Sequence, residues 1–161
     1  LIAINMDQWD GYPSEREELL DFIEEQGIQN TVILTGDIHT SWANEVYKSS
    51  AILTGGVLDD PLAVEFVAPS VTSPGFPDGA AQLVSSVLPL LNPHMKYTDL
   101  VNKGFILVDV TRQRAQAEYY YAASIDDPEQ SGVEMDKVKT VAVQVGSSRL
   151  VEDTPVSRPR V

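Results

Sequence analysis

The sequence has no cysteine, and its apolar runs are short. Without cysteine, these 161 residues can form no disulfide bond among themselves and offer no thiolate to a metal ion. The absence of cysteine suits an extracytoplasmic protein, although it does not establish one. A membrane-spanning helix requires roughly 20 consecutive apolar residues, and no run approaches that length. A transmembrane segment is therefore not expected in this sequence.

Basic residues are also scarce. Lysine and arginine number 11 against 24 aspartates and glutamates, which gives a formal net charge of −13. Surfaces that bind nucleic acids or anionic membranes need clustered lysine and arginine, so the charge argues against both classes of partner. The many carboxylates could serve hard metal ions. For most of them, a solvated acidic surface is the better interpretation.

The length is sufficient for one domain with a sizeable core. The sequence begins at Leu1, and residues 1–5 already have the pattern of a buried strand. Most natural chains begin with a few loosely held polar residues instead. This favours an origin in a longer polypeptide. We expect residues 1–145 to form the domain portion, and residues 146–161, which are polar and contain two prolines, to form a frayed tail.

The first 35 residues predict a strand, a helix and a second strand. Residues 13–27 form the clearest helix, with Ser14 as N-cap, Glu17 completing a capping box and Gly27 ending the helix. Residues 31–35 are apolar and rich in β-branched side chains, which indicates a buried strand inside a sheet. The order strand, helix, strand predicts a βαβ unit with parallel strands, and therefore an α/β fold.

The remaining elements are predicted from shorter patterns. Around residues 42–47 the sequence allows either a short strand or a helix. Beyond this region we expect a strand at 62–68, a helix at 78–91 capped by Asp78, a hairpin of strands 104–111 and 114–122, and a last strand at 138–145.

The most specific local pattern is the string LTGDIHTSW, in which Asp37 and His39 directly follow the strand at 31–35. Ligands in open α/β sheets bind at the carboxyl ends of the strands. If the backbone stays extended, residues two apart point to the same side, so both side chains could face one site. A carboxylate with an imidazole suits Fe, Mn or Zn better than Ca alone. The equally weighted alternative is that Asp37 caps a turn and His39 makes a local hydrogen bond.

A second cluster, WDGYPSER, places Asp10 and Tyr12 in the loop before the first helix. This loop leaves the same edge of the sheet if the strands are parallel, so Asp10, Asp37 and His39 are predicted to surround one cleft. The pattern alone favours the simpler interpretation, in which these residues only form the entry to the helix.

The third cluster is NPHMKY, where an Asn-Pro turn presents His94 from a loop. A lone histidine in a loop is more often structural or exposed than catalytic. Ser70, Thr72 and Ser73, in the loop at 65–75, could line a polar pocket. For these hydroxyls as well, turn formation is the simpler interpretation.

Four strings together carry a family resemblance: WDGYPSER, NTVILTGDIHTSW, VEFVAPSVTSPG and NPHMKYTDLVNKGFILVDVT. In order and spacing they resemble the PhoD-like alkaline phosphatase family, from about residue 5 to about residue 122. The resemblance implies a metallophosphoesterase-like β-sandwich core flanked by helices, of which this chain is the C-terminal part with its βαβ unit and hairpin. It also implies an extracytoplasmic enzyme that hydrolyses phosphate mono- or diesters with metal ions, iron and calcium being the best-known set.

The resemblance transfers to individual residues. Asp37 matches the aspartate of the family's TGD-x-H motif and is expected to bind metal. His39 matches the histidine of that motif and should lie close to the metal or the phosphate. Asp10 and Tyr12 match the WDGY motif near the site, and His94 matches the NPH motif.

Part of the family pattern is missing. The family's earlier motifs and the cysteine that supplies an iron ligand have no counterpart here, so this segment is expected to hold a minority of the metal ligands. The expected partners are a small phosphate ester and the missing N-terminal part of the same protein, and the isolated segment should be inactive. The alternative from another class is a non-catalytic α/β interaction or regulatory module that retains the scaffold.

Overall fold

Two four-stranded sheets and two α-helices make up the described part of the chain. In a computed structural model, the described residues are 7–48, 60–76, 81–127, 129 and 132–156. Side chains from the inner faces of both sheets share one hydrophobic core, which makes the fold a sandwich. The predicted α/β class and β-sandwich core are therefore confirmed.

Sheet A is mixed and has the strand order β1-β3-β2-β4. Strands β1 and β3 are parallel, and β2 runs antiparallel to both β3 and β4. The region at 42–47, where the sequence allowed a strand or a helix, is the strand β2. The bounds of the four strands are Thr31–Thr35 (β1), Ser41–Val46 (β2), Ala63–Val67 (β3) and Met95–Asp99 (β4).

Strand β1 is where the sequence predicts it, and among the described residues it pairs on one side only, with β3. The strand predicted for residues 1–5, which would complete the βαβ unit, lies outside the described residues. The interior position of β1 therefore stays a prediction.

Sheet B is antiparallel throughout, with the strand order β5-β6-β7-β8. The predicted hairpin is confirmed by the pairing of β5 with β6, in which Val110 lies opposite Ala115. The sheet consists of Gly104–Val110 (β5), Arg114–Tyr121 (β6), Lys139–Gln144 (β7) and Leu150–Glu152 (β8).

The structure differs from the predicted frayed tail, because β8 lies within residues 146–161. Strand β6 explains the difference, since its outer-facing Gln116 and Glu118 are as buried as its core face. Gln116 Nε2 donates to the Thr154 carbonyl at 3.2 Å, and the Val156 amide donates to Glu118 Oε1 at 2.8 Å. The segment after β8 covers these polar groups, which otherwise would be buried without partners.

The first helix, α1, spans Pro13–Glu25. The predicted capping box is wrong: Tyr12 is the N-cap, and Ser14 lies inside the helix. Proline accounts for this start, because its fixed φ suits the first helical position and it lacks the N–H that would need a cap. Gly27 ends the helix as predicted, with a φ of 62°, a left-handed conformation that glycine adopts without steric cost.

The second helix, α2, spans Ala81–Leu91 and packs against β4. Thr98 Oγ1 of β4 donates to the Ser85 carbonyl of α2 at 2.8 Å. The beginning predicted for this helix, with Asp78, falls outside the described residues. Neither described helix combines the length and apolar character that a membrane crossing requires.

Three tyrosine hydroxyls tie the two sheets together. Tyr119 of β6 donates to the Trp42 carbonyl of β2 at 2.5 Å, and Tyr121 donates to Ser41 Oγ at 2.9 Å. Tyr97 of β4 lies 2.6 Å from the Tyr121 hydroxyl. Burial raises the pKa of Tyr97, Tyr119 and Tyr121 well above the usual value for tyrosine.

Candidate functional site

Three loops meet at one edge of the sandwich, where β1 and β3 end and β2 begins. The register aligns Thr35 with Val67, Val67 with Trp42, and Trp42 with Thr98 across sheet A. The first site loop is residues 36–40, the second is residues 68–76, and the third is residues 100–103. The strand ends bring the predicted GDIH and Ser/Thr segments together at this edge.

The first site loop holds Asp37 and His39 in an unusual backbone conformation. Their φ angles are 70° and 64°, and the Ile38 amide donates to the Gly36 carbonyl at 2.8 Å. The extended backbone that would have pointed both side chains to one side is therefore not present. Left-handed φ values in non-glycine residues are uncommon, although Asp and His tolerate them better than most residues, and they occur preferentially at functional sites.

The imidazole of His39 is oriented by the second site loop. Its Nδ1 lies 2.8 Å from the Pro74 carbonyl oxygen. A carbonyl oxygen can only accept, so Nδ1 must carry the proton. In the neutral ring, Nε2 then has the free lone pair. Histidines that bind metals commonly have this arrangement, in which the second nitrogen donates to a carbonyl.

The end of the first site loop is fixed by buried side chains. Thr40 and Ser41 are fully buried, and Trp42 Nε1 donates to Thr40 Oγ1 at 2.6 Å. Ser41 accepts the hydrogen bond from Tyr121 of sheet B. Asp37 and His39 thus directly precede two residues that are buried and hydrogen-bonded, while Asp37 itself is exposed.

The second site loop folds on itself and is tied to sheet B. Ser70 Oγ donates to the Ser73 carbonyl at 2.7 Å, and the Gly104 amide donates to the Ser70 carbonyl at 3.0 Å. The Ser70 hydroxyl therefore closes a turn, which is the simpler of the two interpretations given for it above. Thr72 and Ser73 lie exposed in the same loop.

The other predicted site residues are placed differently. Asp10 lies in the 3-10 turn Trp9–Gly11, and Tyr12 follows it as the exposed N-cap of α1. The side chain of Asp10 is outside the described part of the structure, so its convergence with Asp37 and His39 stays a prediction. The structure places His94 toward the other end of sheet A, where its carbonyl accepts from the Glu45 amide at 2.8 Å. His94 is thus not brought together with Asp37 and His39.

The donor set of the first site loop suits the metals that the resemblance implies. Carboxylate oxygens are the ligands that calcium prefers, and iron accepts both carboxylate and imidazole. Within the described residues, no group of three or more His, Cys, Asp or Glu side chains could surround a metal ion. Asp37 and His39 can therefore contribute to a metal site that needs further ligands from elsewhere.

Sequence reasoning missed Pro74, Gly75 and Lys103 at this edge. The Lys103 ammonium lies 3.4 Å from the His39 carbonyl oxygen, although the two residues are 64 positions apart. The available signal was the string NKGF, in which a lysine precedes a glycine at the start of a strand. That string by itself gives no indication of which loop the lysine reaches.

Three comparisons with known proteins point to the same family. Residues 1–119 match the profile of the PhoD-like phosphatase family. The chain is 33% identical over 129 residues to alkaline phosphatase D of Bacillus subtilis (strain 168), which covers 77% of this chain and 20% of that protein. It also superimposes on a solved structure described as "Structure of PhoD", with a TM-score of 0.74 and 27% identity, covering 95% of this chain and 28% of that one. The chain thus spans well under a third of the length of either relative.

Proposed function

The chain belongs to the PhoD-like phosphatase family, and from this premise we propose that the whole protein hydrolyses phosphate mono- or diesters with the help of bound metal ions. In this proposal the chain supplies part of the active site. The observation that carries it is the first site loop, where two left-handed residues of the family's TGD-x-H motif stand at a strand end. Nδ1 of its histidine donates to a backbone carbonyl, so Nε2 is available to a metal ion or a proton.

His39 has two chemical roles open to it in this geometry. Because Nδ1 donates to the Pro74 carbonyl, Nε2 of the neutral ring can bind a metal ion or take up a proton. Once protonated, the same nitrogen can stabilise negative charge or give its proton to the leaving-group oxygen. The fixed ring orientation serves each of these roles.

Asp37 would hold metal through its carboxylate, with iron and calcium as the proposed ions. Lewis-acid polarisation of the phosphoryl group and activation of water are the chemistry that bound ions would supply. The left-handed backbone at Asp37 leaves its carboxylate exposed at the sheet edge rather than folded into the core. Asp10 remains a proposed contributor to the same site from the WDGY turn.

The proposed partner of this segment is the rest of the same polypeptide. An apolar groove of about 400 Å³ lies between the sheets, lined by Val32 and Leu34 of β1 and by Val108 and Val110 of β5. Leu34 and Val110 are 58% and 71% exposed, although both point toward the inside of the sandwich. Relatives are several times longer than this chain. In the proposal, the corresponding additional residues of the whole protein cover the groove. The side of β1 that has no partner among the described residues would then pair with a further strand.

Extracytoplasmic location is proposed from the family resemblance. The absence of cysteine and the strongly acidic composition are compatible with it. Fractionation of cells that produce the whole protein is the direct test, and recovery in the cytoplasmic fraction alone would contradict the proposal.

The central test replaces Asp37 by asparagine in the whole protein. We expect kcat/KM for a chromogenic phosphate ester to fall about 100- to 1,000-fold, together with a loss of bound metal. Asparagine tolerates the left-handed conformation, so the free energy of unfolding should change by less than about 0.5 kcal/mol. The matched control is Asp136→Asn. It removes an exposed carboxylate from the 3-10 turn Met135–Lys137, which precedes β7 of sheet B.

The possible outcomes separate the two classes of function. Unchanged turnover and metal content in Asp37→Asn would remove Asp37 from the ligands. Absence of both turnover and metal in the unmodified whole protein would favour the non-catalytic module. Residues 1–161 alone, supplied with iron and calcium, are expected to show no turnover, because a hydrolytic metal site needs more ligands than this segment brings together.

A further inference from the structure

Lys103 is held in place by its backbone at the sheet edge that carries the candidate site. Its carbonyl accepts from the Ala122 amide at 2.8 Å, and the next residue, Gly104, donates to the Ser70 carbonyl at 3.0 Å. A Cβ on Gly104 would lie 1.9 Å from the Tyr120 carbonyl oxygen, so only glycine fits this close approach. The point from which the lysine side chain departs is therefore fixed.

The side chain of Lys103 crosses the second site loop to reach the first. Its ammonium nitrogen lies 3.4 Å from the His39 carbonyl oxygen. The same nitrogen would lie 2.6 Å from a Cβ on Gly75, so it occupies the space that a side chain at position 75 would need. Gly75 thereby makes room for a positive charge beside the loop of Asp37 and His39.

The surroundings of this charge set it apart from the chain's other lysines. Lys48, Lys96, Lys137 and Lys139 each form an ion pair with a carboxylate. Around Lys103, no carboxylate oxygen of the described residues lies within ion-pair distance. In a chain with 24 acidic and 11 basic residues, a lysine that forms no ion pair with any described residue is unusual. A backbone carbonyl uses one of its N–H groups, which leaves two for an anion.

We propose that the Lys103 ammonium binds a non-bridging oxygen of the phosphoryl group, an inference that rests on the proposed function of the same site. A phosphoryl group is an anion with several equivalent acceptor oxygens, and a lysine binds such a group as a point charge. The His39 carbonyl accepts from the ammonium, which lies in the space that Gly75 leaves, beside the loop on which the proposed metal ligand and the proton-transferring imidazole lie. Lys103 is then a substrate-binding residue that serves both phosphate mono- and diesters.

Two kinds of variant separate the charge of Lys103 from its position. Lys103→Met and Lys103→Gln remove the charge, whereas Lys103→Arg keeps it. Gly75→Ala keeps every charge but fills the space that the ammonium occupies. The matched control is Lys139→Met, which removes a lysine paired with Glu152 on sheet B.

The experiment measures binding of inorganic phosphate to the whole protein by calorimetry, and KM and kcat for a phosphomonoester. We expect Lys103→Met and Lys103→Gln to weaken phosphate binding and raise KM by about 10- to 100-fold, the range for loss of one charge-assisted hydrogen bond. Gly75→Ala should weaken binding by about 10-fold, and Lys103→Arg by less than about 5-fold. Lys139→Met should match the unmodified protein.

The results distinguish this inference from the proposed function. Phosphate binding that depends on Lys103 without any hydrolysis by the unmodified protein would support the inference and refute the hydrolase. Hydrolysis by the unmodified protein with unchanged phosphate binding and KM in both neutral variants would refute the inference alone. Absence of phosphate binding in the unmodified protein also overturns it. Circular dichroism and the unfolding midpoint identify a variant that fails to fold, in which case Gly75→Ala and Lys103→Arg decide the question.

Discussion

Sheet B and sheet A are built in opposite ways. The strands of sheet B are neighbours in the order in which they occur in the sequence, and every pair is antiparallel. In sheet A, two of the three pairs join strands that are not consecutive in the sequence, β1 with β3 and β2 with β4, and the first of these pairs is parallel. The β5–β6 hairpin of sheet B closes with a short loop, whereas in sheet A the loop from β1 to β2 has to pass the end of β3, which lies between them.

The difference assigns different tasks to the two sheets. All three site loops follow strands of sheet A, while sheet B supplies the tyrosines and the glycine against which those loops are held. Both faces of the inner strand β6 are buried, whereas Leu34 of β1 and Val110 of β5 are exposed on the inner faces of the two sheets. Sheet B thus supports the site, and sheet A carries the loops that form it.

The largest expected effect on stability comes from replacing Gly104, where β5 approaches β6 closely. A Cβ there would lie 1.9 Å from the Tyr120 carbonyl oxygen, and backbone atoms cannot move aside without disrupting the β5–β6 pairing. Gly104→Ala should lower the free energy of unfolding of the whole protein by about 3 kcal/mol. The control Gly132→Ala has nothing within 4 Å of the new Cβ. Equal unfolding midpoints for the two variants would show that sheet B can absorb the collision.

An intermediate effect is expected at the open side of sheet A. If the rest of the polypeptide covers Leu34, Leu34→Asp buries an unpaired carboxylate and should cost about 2 kcal/mol in the whole protein. If Leu34 stays exposed to solvent, the change should be below about 0.5 kcal/mol. Val151→Asp on β8, also an exposed apolar position, is the control. Chemical denaturation of the three proteins measures the difference.

The smallest effect is expected at the contact between the sheets. Tyr121→Phe removes the hydroxyl that bonds to Ser41 and Tyr97, at a cost of about 1 kcal/mol at neutral pH. The exposed Tyr12 offers a control, Tyr12→Phe. A midpoint in Tyr121→Phe equal to that of the control would mean that this hydroxyl contributes nothing to holding the sheets together.

The same tyrosines predict how stability depends on pH. Burial raises the folded-state pKa of Tyr97, Tyr119 and Tyr121 above the value of 10.0 expected in the unfolded chain. Below that pH both states keep the phenol protons, so this contribution to stability is complete. Above it the unfolded state loses protons that the folded state retains, and stability falls as the pH rises. Tyr121→Phe should make the fall shallower in unfolding curves measured between about pH 8 and about pH 11.

Much of the fold could be predicted because its strands have clear patterns. Strands β1, β3, β5, β6 and β7 are apolar or alternating runs bounded by turn residues, and the structure contains all of them. Strand β4 was missed because it is a short run directly after an Asn-Pro turn, and its pairing with β2 is far away in the sequence. Strand β8 has only three residues, too few for a periodic pattern, and the contact that covers Glu118 comes from Val156, after the strand.

The site was only partly predictable for a different reason. The GDIH string identifies the loop, but the left-handed backbone at Asp37 and His39 depends on anchors far away in sequence, such as Pro74 and Tyr121. The position of His94 away from that loop follows from the direction of β4, which no local pattern reveals. Lys103 belongs to the site only because Gly75 leaves space for it.

The sequence order of the two sheets also has a consequence for synthesis on the ribosome. Residues 31–99, which contain the four described strands of sheet A, emerge before the described strands of sheet B. During that interval sheet B does not yet cover the inner face of Val64 and Phe66, and this apolar surface is open to wrong partners. The strands of sheet B then appear one by one, each next to its final neighbour, and can close over sheet A quickly. A nascent chain halted between β4 and β5 should therefore be protease-sensitive and bind chaperones, and one extended past Val156 should not.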